Sequence, residues 1–177
     1  MKTLIKIPLI IIFLVSSSCS RDVDIDNSDI SGALEGRWNV EIFEYEGKTT
    51  SILQNDVWGT SFHGIGWNMD LTMIFTKNPN EYSLIGNYFN DHYLTNRHGV
   101  EYLYFGDLEY NQSGIWKREG NQIEARIDNV DKRIFISELT HTRLVITINT
   151  NVSVSDSDGT ITTTQNKEIY TLERLNK

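Results

Sequence analysis

The chain has 177 residues, a formal net charge of −8, one cysteine and two prolines. This length suits one domain and is enough to bury a core without disulfides. A single cysteine excludes an intramolecular disulfide framework and a cysteine-rich zinc site. The acidic charge argues against nucleic acid as a partner, because that role needs lysine and arginine to neutralise phosphates. An aromatic content of 11% argues against a disordered chain.

Residues 1–18 have the three zones of a secretory signal peptide. Lysines give a positive start, residues 7–15 form an apolar stretch, and three serines precede Cys19. The apolar stretch is shorter than the about 20 residues that span a bilayer. The single cysteine at this place resembles the lipobox of bacterial lipoproteins, with Ser16 where that family usually has leucine. The resemblance implies cleavage before Cys19 and acylation of its thiol and of the new amino terminus.

Two or more acyl chains hold a protein stably on a membrane, whereas one chain binds marginally. The lipobox therefore predicts that Cys19 anchors the mature chain in the envelope of a bacterial cell. The outer membrane is the expected site, on either its periplasmic or its surface face. Residues 19–33 carry four aspartates and one arginine and are predicted to form an acidic, flexible tether after the lipid.

Residues 34–177 are predicted to form one all-β domain. From Gly36 onward, β-branched and aromatic residues alternate with polar residues between short turn-forming gaps, which is the pattern of antiparallel strands. Turns are predicted at 46–48, 78–80 and 155–159, and a short helical turn within 49–58. The predicted strand segments are 38–43, 69–75, 82–89, 100–110, 115–118, 122–127, 134–139, 144–152 and 161–172.

The first of these strands opens with Gly36-Arg37-Trp38. This motif resembles the Gly-x-Trp signature of lipocalins and of the lipocalin-like domains found in bacterial lipoproteins. Residues 170–174 resemble the closing strand of these domains. The resemblance spans residues 34–175 and implies an up-and-down antiparallel β-barrel of about eight strands. It also implies a structural pair, in which Trp38 closes one barrel end and Arg174 packs over its indole.

Residues 55–67 combine glycines with large aromatic residues and are predicted to form a loop. Such a loop either covers the mouth of the barrel and binds a ligand, or packs its own rings beneath itself. Residues 90–99 are a second predicted loop. Alternate residues of the later strands are expected to face the barrel interior. The predicted ligand-binding residues are Trp58, Phe62, Trp67, Met73, Phe75, Tyr102 and Tyr104.

No group of residues in the sequence singles out a catalytic centre. The four histidines lack a cysteine partner and a His-x-x-x-His pair. Asp91, His92 and His98 share a predicted loop, where surface histidines are favoured over a metal site. The chain has no Gly-x-Ser-x-Gly motif and no phosphate-binding glycine motif, and no carboxylate pair of the glycosidase type stands out. We therefore predict no catalytic residue, no metal site and no cofactor.

The favoured hypothesis is a non-enzymatic, membrane-anchored lipocalin-like lipoprotein that binds a small apolar ligand in its barrel. The alternative is a protein-interaction or inhibitor module with a filled barrel and aromatic surface loops. Small barrels hold either packed side chains or one small ligand, so the barrel interior separates the two hypotheses. The expected partners are the membrane, through Cys19, and a small apolar ligand or a protein; nucleic acid is not expected.

Overall fold

A computed structural model describes residues 29–175 of the chain. Cys19, the predicted signal peptide and residues 19–28 of the predicted tether lie outside the described residues. The described chain forms eight antiparallel strands that pair in sequence order and close into a barrel through β1 and β8. The strands are β1 (Gly36–Leu53), β2 (Asp56–Phe75), β3 (Glu81–Thr95), β4 (Glu101–Glu119), β5 (Gln122–Ile127), β6 (Val130–Leu139), β7 (Arg143–Ser155) and β8 (Ile161–Arg174).

This architecture confirms the all-β, up-and-down barrel of about eight strands that the sequence predicts. Because side chains alternate between the two faces of a strand, every second residue faces the barrel interior. Within residues 29–175, no helix is long and apolar enough to cross a membrane.

One end of the barrel has a filled apolar interior, which we call the closed end. Leu71, Met73 and Phe75 of β2 are fully buried there, at alternate positions of the strand. The rings of Phe75 and Trp116 meet edge to face, with centroids 5.9 Å apart. Residues from all eight strands join this core, so it is continuous around the barrel.

The opposite end of the barrel, which we call the open end, has a gap in its wall. β5 and β6 have 6 and 10 residues, whereas β2 and β4 have 20 and 19. In the described chain, β4 pairs with β5 through residues 114–119, and β7 pairs with β6 through residues 144–149. Six strands therefore continue beyond the closed part, in the order β4-β3-β2-β1-β8-β7.

Several predicted breaks between strands are wrong. The predicted turn at 46–48, the helical turn within 49–58 and the predicted loop at 55–67 all lie in a hairpin of two long strands, β1 and β2, joined by a turn at Gln54 and Asn55. The second predicted loop is also mostly strand, because β3 extends to Thr95. The segments 100–110 and 115–118 form one strand, β4. The predicted turns at 78–80 and 155–159 are confirmed.

Glycines inside strands explain these errors. A side chain on Gly47 would collide with the ring of Phe62 on β2, and one on Gly64 would collide with the ring of Tyr45 on β1. These glycines therefore make room for aromatic side chains across the sheet and do not turn the chain. A Gly inside a strand often marks such a close approach.

The chain enters and leaves the barrel at the closed end. The amide of Leu139 donates to the carbonyl of Asp29 at 2.6 Å, and the amide of Gly32 donates to the carbonyl of Leu139 at 2.9 Å. Leu34 is buried, and its carbonyl accepts a hydrogen bond of 2.9 Å from Trp38 Nε1. The last part of the predicted tether is thus packed along the end of β6.

Candidate functional site

The inner face at the open end brings together several of the predicted ligand-binding residues. Directly opposed residues of antiparallel strands share a face of the sheet. Trp58 is opposite the buried Ser51 in β1, so Trp58 faces inward. Phe62 is four residues further along β2 and lies on the same face.

Two tyrosines of β4 complete this aromatic surface. Tyr104 is opposite His92 of β3, which lies two residues from the buried Asn90, and Tyr102 follows on the same face. The exposed fractions are 46% for Tyr102, 50% for Tyr104 and 37% for Trp58. We call Trp58, Phe62, Tyr102 and Tyr104 the aromatic mouth. Its rings are accessible because the short strands β5 and β6 do not extend to the open end.

A hydrogen-bonded cluster lies beside the aromatic mouth. Asn90 Nδ2 donates to the Tyr45 hydroxyl at 2.7 Å, and that hydroxyl lies 2.8 Å from His92 Nδ1. Tyr45 and His92 therefore share one hydrogen bond, whose donor depends on the tautomer of His92, and the other ring nitrogen, Nε2, is a second polar atom of the cluster. The His92 ring lies 5.9 Å from Phe62 and 6.2 Å from Tyr104 between centroids.

The neighbouring strand β8 carries a carboxylate on its inner face, at Glu168 directly opposite Tyr45. Tyr170 donates to Glu168 Oε2 at 2.9 Å, and Asn166 Nδ2 donates to Glu168 Oε1 at 2.8 Å. Asn166 Oδ1 is buried, and no donor among the described residues reaches it. Buried acceptors are normally satisfied, so this oxygen favours an ordered water or a ligand donor beside it.

The buried tyrosines near Glu168 are held in their neutral form. Burial raises the pKa of Tyr82, Tyr110 and Tyr170, and the nearby charge of Glu168 raises each of these pKa values further. Burial also raises the pKa of Tyr88. At neutral pH these hydroxyls are therefore protonated, and the inner face carries donors and one carboxylate between the core and the aromatic mouth.

The remaining predicted ligand-binding residues lie elsewhere. Met73 and Phe75 are fully buried in the core of the closed end. Trp67 is on the outer face, where its ring stacks on Phe89 at 5.1 Å and its Nε1 donates to Asp91 Oδ1 at 3.0 Å. None of these three residues belongs to the aromatic mouth.

The structure does not join the predicted histidine pair into a metal site. His92 lies in β3 and contacts Tyr45, whereas His98 Nε2 accepts a hydrogen bond of 3.1 Å from Arg97. Within residues 29–175, no three His, Cys, Asp or Glu residues are grouped to hold a metal ion.

Sequence reasoning missed Tyr45, Asn90 and Glu168 as members of the site. Tyr45 follows the buried Phe43 at a spacing of two, but a bulge between Val40 and Phe43 breaks the alternation that begins at Trp38. The predicted turn at 46–48 also ended that strand too early. Glu168 and Asn166 give no signal in the sequence, because a polar residue on an inward row looks like a residue facing solvent.

A groove with a volume of about 1200 Å³ crosses β6, β7, β8, β1 and β2, and its lining includes Phe62 of the aromatic mouth and Asn166 beside Glu168. Lys167 Nζ lies 3.2 Å from Glu46 Oε1 within it. Its other charged and amide side chains are Lys48, Asp131, Arg133, Asn149, Asn151, Gln165 and Asn166. This groove is more polar than the aromatic mouth, and the two share Phe62.

No family model, curated protein or solved structure matches the chain.

Proposed function

We propose that this chain is a non-catalytic, lipid-anchored binding protein that holds a small apolar ligand at the open end of its barrel. The aromatic mouth carries this proposal. Large aromatic side chains rarely stay accessible on one concave face unless they contact a partner, because burying them is strongly favourable. Trp58, Tyr102 and Tyr104 are each more than one third exposed there.

The ligand site is shallow, because the interior below it is filled. Met73 and Phe75 have exposed fractions of 0% and 1%, so a ligand at the open end does not reach them. Covering the exposed half of one tyrosine side chain removes about 100 Å² from water, which stabilises a complex by about 2–3 kcal/mol before association costs.

The hydrogen-bonded cluster beside the aromatic mouth, together with Glu168, indicates the polarity of the ligand. An apolar body fits against Tyr104 and Phe62, while a hydrogen-bonding end is stabilised by His92 Nε2 and by the carboxylate of Glu168. A wholly hydrocarbon ligand would leave the buried Asn166 Oδ1 without a donor, which costs free energy. We therefore propose a mostly apolar ligand with one polar end.

We further propose that the chain is a lipocalin-like lipoprotein of the bacterial outer membrane. The closing pair of Trp38 and Arg174 and the eight-stranded barrel support the resemblance to lipocalins. Asp29 lies at the closed end, so a tether from Cys19 reaches the barrel there. The open end would then point away from the membrane that holds the lipid.

Native mass spectrometry of the full-length protein, extracted from membranes in mild detergent, tests this proposal. We expect an additional mass of a small molecule that is lost on denaturation, and we expect less of it on Tyr104→Ala. A protein that carries no such mass and also fails to bind N-phenyl-1-naphthylamine, an uncharged apolar fluorophore, would contradict the proposal.

A further inference from the structure

The gap in the barrel wall leaves one edge of β4 unpaired. Residues 101–113 of β4 pair with β3 on one side. On the other side, β4 pairs with β5 through residues 114–119, and no strand within residues 29–175 continues this pairing toward the open end. An unpaired strand edge presents a row of free N–H and C=O groups.

The hydrogen bonds at the closed end show which residues present these groups. The carbonyl of Ser113 accepts from the amide of Asp128 at 3.2 Å on the β5 side. The amide of Trp116 donates to the carbonyl of Asn80 at 3.2 Å on the β3 side. Because backbone groups alternate between the two edges of a strand, the odd-numbered residues from 101 to 111 direct theirs to the free edge.

This edge lacks the usual protection against pairing. Natural edge strands are short, bulged, or interrupted by proline and lysine. Residues 101–113 contain no proline, lysine or arginine, and they pair with β3 without a register shift. Phe105, whose backbone faces the free edge, is 72% exposed. The edge therefore remains a template for another strand.

Charge on the edge selects the kind of strand that fits. The outward row of side chains contains Glu101, Asp107 and Glu109, and no basic residue. The inward row is apolar, with Tyr102 and Leu108 both more than 40% exposed. Like charges directly opposed across strands are destabilising. The acidic outward rows of two copies of this edge would therefore repel each other. A partner strand needs basic side chains outward and apolar side chains inward.

We propose that the free edge of β4 binds an extended, basic segment of another protein as an additional antiparallel strand. The segment alternates lysine or arginine with β-branched or aromatic residues. Its main-chain groups pair with the odd-numbered residues of β4, and its basic side chains lie beside Asp107 and Glu109. Strand addition of this kind takes affinity from the main chain and specificity from alternate side chains.

A labelled nine-residue peptide of alternating lysine and valine tests the proposal by fluorescence anisotropy on the full chain. In an antiparallel strand, directly opposed residues share a face, so the lysine amides point toward β4 and the valine amides point away. Methylation of the lysine amides should weaken binding at least tenfold, whereas methylation of the valine amides should change it less than threefold. Equal binding of both methylated peptides would overturn the proposal, because charge alone would then explain the affinity.

Charge variants provide the second arm of the test. Asp107→Lys with Glu109→Lys should weaken binding of the unmethylated peptide at least tenfold. The matched control is Glu41→Lys with Glu44→Lys, which makes the same charge change on exposed positions of β1. β1 is three strands from β4, roughly 14 Å away, and this control should change binding less than threefold. Equal losses in both double variants would contradict the proposed location.

Hydrogen exchange of the backbone amides measures whether the free edge of β4 is paired. The amides of Leu103, Phe105 and Asp107 should exchange rapidly in the free protein and slow at least tenfold with peptide bound. Slow exchange without peptide would show that the edge is already covered by this chain or by a second copy, and sedimentation would separate those two cases. Either result would overturn the proposal.

Discussion

Arg174 places its guanidinium over the indole of Trp38, with Cζ 3.9 Å from the ring centroid. The two residues are also backbone partners at the junction of β1 and β8. Arg174 Nη1 donates to the carbonyl of Glu35 at 2.8 Å, and its Nε donates to the carbonyl of His141 at 2.8 Å. The arginine therefore ties the segment before β1 and the turn before β7 over the tryptophan that fills the closed end.

Replacing Trp38 should destabilise the barrel more than replacing any exposed tryptophan. Trp38 is fully buried, so Trp38→Ala removes a large core side chain and should lower the free energy of unfolding by about 3–5 kcal/mol. Trp67→Ala on the outer face is the control and should cost about 1 kcal/mol or less. Urea denaturation followed by circular dichroism measures both, and similar midpoints for the two variants would contradict the role of Trp38.

Both the side chain of Arg174 and the backbone conformation at position 36 require a glycine there. Gly36 has a φ of +139°, and a Cβ there would lie 2.5 Å from Arg174 Nη1. Gly99 has a φ of +77° and open space around it, so Gly99→Ala measures backbone strain alone, about 1 kcal/mol. Gly36→Ala should cost about 1–3 kcal/mol more because of the collision.

A double-mutant cycle separates these two costs at Gly36. Arg174→Ala should destabilise the native protein, yet it should cost less in the Gly36→Ala background, where the collision has already displaced the guanidinium. Additive losses in the two variants would show that strain alone explains Gly36.

Stability should fall in alkaline solution because of the buried tyrosines. The pKa of Tyr82, Tyr88 and Tyr170 is raised in the folded protein, so unfolded chains release these protons first as the pH rises above about 10. The native state then binds more protons than the unfolded state, and the free energy of unfolding decreases with pH. The slope should be up to about 1.4 kcal/mol per pH unit for each such tyrosine.

Denaturant titrations at several alkaline pH values, with phenolate absorbance, measure this slope. Tyr82→Phe should reduce it, because the buried hydroxyl that keeps its proton in the folded protein is then absent. Ionisation of all eight tyrosines near pH 10 in a folded protein would contradict the expected burial.

The sequence predicted the fold correctly, but it did not predict the lengths of the strands. Alternation at 69–75 is a local signal, whereas the closed barrel and the pair of Trp38 and Arg174 are expected only from the resemblance of the Gly-x-Trp motif and the last strand to lipocalins. The predicted turn around Gly47 failed because its glycine serves packing against Phe62, a residue in the next strand. Such a contact depends on register, which a single stretch of sequence does not contain.

The sequence predicted only part of the candidate site, because the facing of a side chain also depends on register. Trp58, Phe62 and Tyr104 were identified by their aromatic character, although the first two were placed in a loop. Trp67 is predicted with them, but it lies five residues after Phe62 in a part of β2 without a register shift, so alternation places it on the outer face. The register shift between Trp67 and Asp70 then returns odd-numbered residues such as Leu71 to the inner face. A bulge of one residue moves a side chain to the other face, and sequence alternation does not reveal where it occurs.

Substitution of the cysteine should release the chain from the membrane. Wild-type protein should take up radiolabelled palmitate and sediment with bacterial membranes, because two or more acyl chains anchor stably. Cys19→Ser should lose both label and sedimentation. Retention of Cys19→Ser in the membrane fraction, after a high-salt wash, would contradict anchoring through this residue.

The most direct test of the proposed ligand site compares two tryptophans of the same strand. Trp58 and Trp67 both lie in β2 and are 37% and 47% exposed, but they face opposite sides of the sheet. Titration with N-phenyl-1-naphthylamine should show about tenfold weaker binding to Trp58→Ala, which corresponds to about 1.4 kcal/mol. Trp67→Ala should bind as the native protein does. Unchanged affinity in Trp58→Ala, or an equal loss in both variants, would contradict a ligand site on the inner face.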